Sequence, residues 1–227
     1  VLKQYQKTVN NPQIQSSQVT AIVLENMNLQ HVQDLSVFQN AQKIYLQHNK
    51  ILNIENQNNQ SAEDINISHN CLKHIPQIGS DSTFTLNLQF NNLQNCVFQS
   101  SFFNLVLLDV SNQPQQPFSE EFSQSCLKYA PTLEGIYCNS CHLTSLKYFT
   151  NLKLKVLKAQ NNKIQELVDI QGFVSPTLYE LDLSNNPVIK KPKFLEAIVS
   201  QSNQIIKLNT KTITQQMIQF ALKKQGK

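Results

Sequence analysis

The sequence predicts an α/β solenoid: short parallel strands lining a concave sheet, short helices or loops on the convex side, and a helical cap at the C-terminal end. Three observations predict it. One pattern, L-x-x-L-x-L-x-x-N-x-L-x-x-L, recurs eight times; residues 41–54 read Ala-Gln-Lys-Ile-Tyr-Leu-Gln-His-Asn-Lys-Ile-Leu-Asn-Ile and residues 154–167 repeat the arrangement. Its copies begin at Val19, Ala41, Ala62, Thr83, Leu105, Leu133, Leu154 and Leu178, most of them separated by a nearly constant step. The ninth position is a polar side chain in an otherwise apolar frame: Asn49, Asn70, Asn91, Gln113, Asn162 and Asn186.

Each position has a physical job. The first, fourth and sixth residues alternate with polar ones, so a short strand turns them inward, as with Val19, Ile22 and Leu24. The eleventh and fourteenth, such as Ile51 and Ile54, close the core on the convex side. Each buried aliphatic contributes roughly 1.5–3 kcal/mol. The ninth-position amide supplies hydrogen bonds to backbone groups the turn leaves unpaired, and stacked asparagines form a ladder.

The departures locate the special regions. Met27 opens the array, as a terminal repeat should differ. A thiol, Cys141, stands at one ladder position, where it can act as a weak donor. Gln113 leads into Pro114-Gln115-Gln116-Pro117, so the turn there is irregular. Ser119-Glu120-Glu121 is a helix-start signal, which predicts a convex helix over residues 120–129, ended by Pro131. It absorbs the extra length of the repeat at 105–132, since the step from Leu105 to Leu133 is the longest in the array. Residues 1–18 read as a lead-in, with Val9 and Ile14 touching the first repeat, residues 19–186 as the eight repeats, and 187–227 as the cap. The cap is expected to hold a helix carrying Phe194, Ile198 and Val199 on one face, a final edge from Ile205, Ile206 and Leu208, and a last helix. Thr214 is its N-cap, and Met217, Ile218, Ala221 and Leu222 face inward.

Composition narrows the function. The formal charge is +4, and all 19 basic residues are lysines, so neither bidentate reading of phosphates nor a direct nucleic-acid partner is expected. The abundance of Gln, Asn, Lys and Ile without Arg suggests an AT-rich genome with a ciliate-type code. No apolar run reaches the about 18 residues that span a membrane. The five cysteines follow the repeat and form no disulfide framework, which points to a reducing, cytoplasmic compartment. The chain begins at Val1, as a fragment of a longer protein would.

No catalytic, cofactor or metal residues are expected. Cys138-Asn139-Ser140-Cys141-His142 matches the C-x-x-C-H haem attachment motif, and a redox or haem protein is the remote alternative. In register, however, Cys138 is a sixth-position core residue and Cys141 a ladder residue. A zinc site would need more ligands than these and Cys126. The pair Glu120-Glu121 suits a helix N-terminus, and Glu63-Asp64 lies at a strand edge. The surface that can carry function is the concave sheet. The partner-binding residues expected there are Tyr45, His48, Asp64, His69, Phe90, Asp109, Tyr137, Lys158 and Asp182. Exposed aromatics among polar residues resemble interface anchors. His48 and His69, both eighth-position residues, should be neighbours. The convex insert and the basic cluster Lys190, Lys191 and Lys193 are the other surfaces of interest.

The pattern is the leucine-rich repeat signature, and its ending resembles the SDS22-like class of that family. That class ends in Asn-Pro, Tyr-Arg and Leu-Asp-Gly; here the positions read Asn186-Pro187, Phe194-Leu195 and Leu208-Asn209-Thr210. The run from Leu181 to Val188, followed by Lys191-Pro192-Lys193-Phe194, is similar to the testis leucine-rich repeat branch, whose members are protein phosphatase 1 regulatory subunits. The resemblance implies a non-enzymatic scaffold within a larger complex. Protein phosphatase 1 or axonemal and microtubule proteins are the implied partners, with a location in cilia or the microtubule cytoskeleton. Leu35-Ser36-Val37-Phe38 and Asp169-Ile170-Gln171-Gly172-Phe173 approach the basic-x-Val/Ile-x-Phe/Trp docking motif of phosphatase 1 partners but fail on spacing or charge. The alternative within the class is a spliceosomal adaptor like the U2 A-prime protein.

Overall fold

The computed structural model describes residues 5–7, 11–32, 34–54, 61–78, 81–173, 175–202 and 204–224. Its frame is a ten-stranded sheet whose strands lie in chain order. Eight three-residue strands run parallel: β1 (Ala21–Val23), β2 (Lys43–Tyr45), β3 (Asp64–Asn66), β4 (Thr85–Asn87), β5 (Leu107–Asp109), β6 (Gly135–Tyr137), β7 (Val156–Lys158) and β8 (Glu180–Asp182). Two short strands close the edge: β9 (Lys207–Leu208) pairs parallel with β8, and β10 (Lys211–Thr212) antiparallel with β9. The register is in step with the repeat, because each central inward residue opposes the next: Ile22 with Ile44, Ile44 with Ile65, Ile65 with Leu86. In every repeat the first-, fourth- and sixth-position residues are buried, Cys138 and Ala159 included.

The ladder is built as the repeat demands. Asn49 Oδ1 accepts the N–H groups of Met27 and Leu29, each at 3.0 Å. Asn70 Nδ2 donates to Leu46 O at 2.9 Å and its Oδ1 accepts from Ile51 N at 2.9 Å. Asn162 Oδ1 accepts from Cys141 N and Leu143 N, both at 2.9 Å. The two substitutes keep part of the job. Gln113 donates to Leu88 O and accepts from Leu93 N, and the Cys141 thiol donates to Val110 O at 3.1 Å. After the last repeat Asn209 supplies the acceptor for Leu183 N at 2.7 Å.

On the convex side the inserted segment forms α1 (Glu121–Tyr129). Its Phe122 packs edge-on against Phe118 and Phe149, with ring centroids 4.9 and 5.9 Å away. Phe98, Phe102 and Phe173 extend this aromatic cluster over four successive repeats. The helix is tied to the repeat before it by Ser125 Oγ, which accepts from Phe98 N, and by Tyr129 O, which accepts from Phe102 N at 2.7 Å. The convex stretches of the following repeats are 3-10 turns, Lys147–Phe149, Leu167–Ile170 and Pro187–Lys190.

Both ends of the described solenoid are covered. At the N-terminal end the expected contact of Ile14 is present, Val9 lies outside the described residues, and Tyr5 does the main work. Its ring lies 5.4 Å from Phe38 and its hydroxyl donates to Ala21 O at 2.7 Å. At the other end α2 (Phe194–Gln201) packs on α3 (Gln215–Lys224). Thr214 Oγ1 accepts from Met217 N, as an N-cap should. Ile218 and Ala221 are buried beneath it. One edge residue differs from expectation: Ile205 and Leu208 are buried, but Ile206 is 52% exposed. Neighbouring residues of an extended segment face opposite ways, so Ile205 and Ile206 cannot both enter the core.

Candidate functional site

The concave face is formed by the outward third and fifth positions of each repeat, the first and last residues of its strand. In its N-terminal half the Tyr45 hydroxyl donates to Asp64 Oδ2 at 2.8 Å, and Thr85 Oγ1 donates to Asp64 Oδ1 at 2.5 Å. The bond to Asp64 raises the Tyr45 phenol above its ordinary value, so it stays a neutral donor. In the C-terminal half Glu180 joins Lys158 and Lys207, the latter at 2.8 Å, and their hydrogen bonds hold its carboxyl below the usual range. Tyr137 stands half-buried between these regions, in register with Asp109 on one side and Lys158 on the other.

Fifth-position carboxylates and amides also finish the strands. The Oδ1 atoms of Asn66, Asn87, Asp109 and Asp182 each accept the N–H two residues on, at 3.0, 3.0, 2.9 and 2.9 Å. This is the Asx-turn geometry that short polar side chains favour. Burial raises the Asp109 carboxyl, against the lowering effect of Ser111. Asp182 is expected on display, yet it is only 3% exposed. Burial alone would raise its carboxyl; bonds from Ser184 and Gln160, with the Lys158 charge, outweigh that and lower it. The neighbouring repeat covers it, which a single-repeat reading does not contain.

His48, His69 and Phe90 form one object. Their rings stack face to face, 4.3 Å between centroids at each step, with interplanar angles of 19° and 14°. The stack grows from an unusual backbone. Every eighth position is left-handed: Asn26, His48, His69, Phe90, Asn112, Ser140, Asn161 and Asn185 have φ between 51° and 61°. Asparagine, and to a lesser degree histidine, tolerates that conformation, whereas a bulky residue such as Phe90 costs roughly 1–2 kcal/mol there. Three consecutive repeats place a ring where four of the other five use asparagine. The three side chains are exposed, Phe90 by 45%. Burial, then the charge of His48, lowers the proton affinity of His69.

Sequence reasoning anticipated the proximity of His48 and His69 but not the strain or the inclusion of Phe90 in one stack. It also missed an apolar rim at second positions. Phe84 and Val106 are neighbours there, 47% and 38% exposed, and Tyr179 lies beside Ile206 farther along. The signal was present: other second positions are Gln42, Glu63, Glu134 and Lys155.

Four of the five cysteines, all but Cys71, occupy the core. Cys138 and Cys141 are fully buried, and burial pushes the Cys141 thiol up to about 12 and Cys138 well above its ordinary range. Among the described residues no group of three or more His, Cys, Asp or Glu side chains is arranged to hold a metal ion. No described helix is long and apolar enough to cross a membrane.

Neither a protein-family model nor a curated protein matches the chain. Solved structures do. The leucine-rich repeat domain of APL1B superposes with a TM-score of 0.64 at 22% identity, over 88% of this chain and 55% of that one. Internalin C2 from Listeria monocytogenes gives 0.63 at 21%, over 84% of this chain and 80% of its own. A leucine-rich repeat protein of Leptospira interrogans gives 0.56 at 19%, over 89% and 56%. This chain thus spans about half the length of the APL1B chain. At such identities the likeness is one of architecture, and with the in-register strands and the amide ladder it establishes the fold: the chain is a leucine-rich repeat solenoid.

Proposed function

We propose that this chain is a non-enzymatic protein-interaction scaffold whose concave face, from β2 to β7, receives a protein partner. The observation that carries the reading is the makeup of that face. Tyr45 and Tyr137 stand among carboxylates and a lysine on a sheet whose register is fixed by the core behind it, and the ring column lines the turns that follow its strands. A rigid frame presenting aromatic anchors loses little conformational entropy on binding. The general use of repeat folds as extended binding surfaces agrees with this. At a finer level we place the scaffold in the microtubule or ciliary cytoskeleton, as a regulatory-type subunit for protein phosphatase 1 or an adaptor for axonemal proteins. That part rests on the sequence resemblance of the repeats and cap.

The test is crosslinking affinity capture from the native cell with the chain and its Tyr45→Ala/Tyr137→Ala variant. Phosphatase 1 or tubulin-associated proteins, captured by the first and lost by the second, are the expected outcome. Capture unaffected by the variant moves the site to the convex insert or the cap. Recovery of spliceosomal proteins in place of cytoskeletal ones overturns the finer assignment.

A further inference from the structure

The ring column has a chemistry of its own. His48, His69 and Phe90 are stacked and exposed at three successive left-handed positions, where asparagine serves in four of the other repeats, and the bulky Phe90 is strained there. The stack supports nothing beneath it: the core is closed by the sixth- and ninth-position residues Leu46, Ile67, Leu88, Asn49, Asn70 and Asn91, all buried. Its next neighbour is Asn112, so the column ends at Phe90 with no further ring.

The charge around it is one-sided. On the second, third, fifth, seventh and eighth positions of the first five repeats, four carboxylates (Glu25, Glu63, Asp64 and Asp109) face Lys43, with Lys50 exposed two residues beyond His48, although the whole chain carries +4. Among the described residues none of the four forms an ion pair, whereas Glu134 and Glu180 in the C-terminal half are paired with Lys155, Lys158 and Lys207. A surface with aromatic rings and unneutralised carboxylates suits a planar cation. A guanidinium can lie on a ring and direct its N–H groups to carboxylates in the same plane. An ammonium is more strongly hydrated and stacks less well. Nucleic-acid bases could stack on the rings, but their phosphates would meet the carboxylates.

We propose that the N-terminal half of the concave side, with the His48–His69–Phe90 column as its anchor, docks an arginine-bearing basic segment of the partner protein. This deepens the scaffold reading and rests on it. The carboxylates draw the segment in, and the column selects arginine over lysine.

The test uses the full chain and its His48→Asn/His69→Asn/Phe90→Asn variant, which places at each position the residue the array itself uses in the left-handed turn. Fluorescence anisotropy is read with labelled peptides of alternating Arg and Ser, of Lys and Ser, and of Glu and Ser, and with oligouridine. The expected result is that the Arg peptide binds most tightly and that the variant, with an unchanged or raised thermal midpoint, binds it about tenfold more weakly. Equal binding of the Arg peptide by the variant, equal affinity for Lys and Arg peptides, preference for the Glu peptide or oligouridine, or no binding of the Arg peptide at millimolar concentration overturns the proposal. The partner captured in the preceding experiment separates the two readings. If Tyr45→Ala/Tyr137→Ala abolishes its capture but the triple asparagine variant does not, the concave scaffold stands and the arginine site falls.

Discussion

The amide ladder makes a quantitative prediction, because its rungs are not equally replaceable. In Asn70→Ala the three carbonyls that Nδ2 serves keep another donor: Leu46 O has Asn49, Ile67 O has Asn91, and Ser68 O has His48 N. One group, the N–H of buried Ile51, loses its acceptor. In Asn162→Ala both Cys141 N and Leu143 N lose the Oδ1 acceptor, and Cys138 O loses the Nδ2 donor at 2.9 Å. An unsatisfied buried group costs about 1–3 kcal/mol. Taking about 1.5 kcal/mol for each, Asn70→Ala costs about 1.5 kcal/mol and Asn162→Ala about 4.5 kcal/mol. Urea unfolding followed by circular dichroism, with the slope held common, measures both. Equal losses, or a larger loss for Asn70→Ala, would refute the reasoning that orphaned backbone groups set the cost.

Other predictions use the same structure. Phe122→Ala, which empties the centre of the convex aromatic cluster, should cost about 3–5 kcal/mol in the same urea assay; a loss below about 1 kcal/mol would mean that α1 is not anchored by that ring. Ellman's reagent applied to the folded chain should modify Cys71, the half-exposed thiol, and reach the four buried cysteines only after denaturation. Rapid labelling of Cys138 or Cys141 would contradict their place in the core. Asp109→Asn should raise the thermal midpoint at neutral pH. Asn66 and Asn87 make the same turn bond without charge, and a carboxyl raised by burial destabilises the fold once it ionises. The gain should shrink as pH falls through the raised carboxyl value and be gone below the ordinary carboxylate range; a lower midpoint at neutral pH would count against it. His69 binds its proton less readily folded than unfolded, so its contribution is present above the ordinary imidazole pKa of about 6.5 and is lost as pH falls through the lowered value. Thermal midpoints at about pH 8 and about pH 5 should therefore separate His69→Asn from the parent more at the acid end, in favour of the variant. An unchanged gap would dismiss the coupling.

Taken alone, the sequence determined the frame. A repeat of nearly constant length maps each position onto one environment, so the inward columns, the amide ladder, the helix in the long fifth repeat and the Thr214 cap were all legible from a single linear pattern. What one repeat lays against the next was decided only in three dimensions. Asp182 sits at the same repeat position as Tyr45, yet its neighbours bury it; Ile206 faces out because Ile205 has taken the core. The register places His48 beside His69, but nothing in the periodicity shows that their rings and Phe90 stack face to face at 4.3 Å, or that Phe90 is held in a left-handed turn. The physical reason is that burial in a solenoid repeats with the pattern, whereas the surface depends on lateral contacts between repeats, which differ at each step.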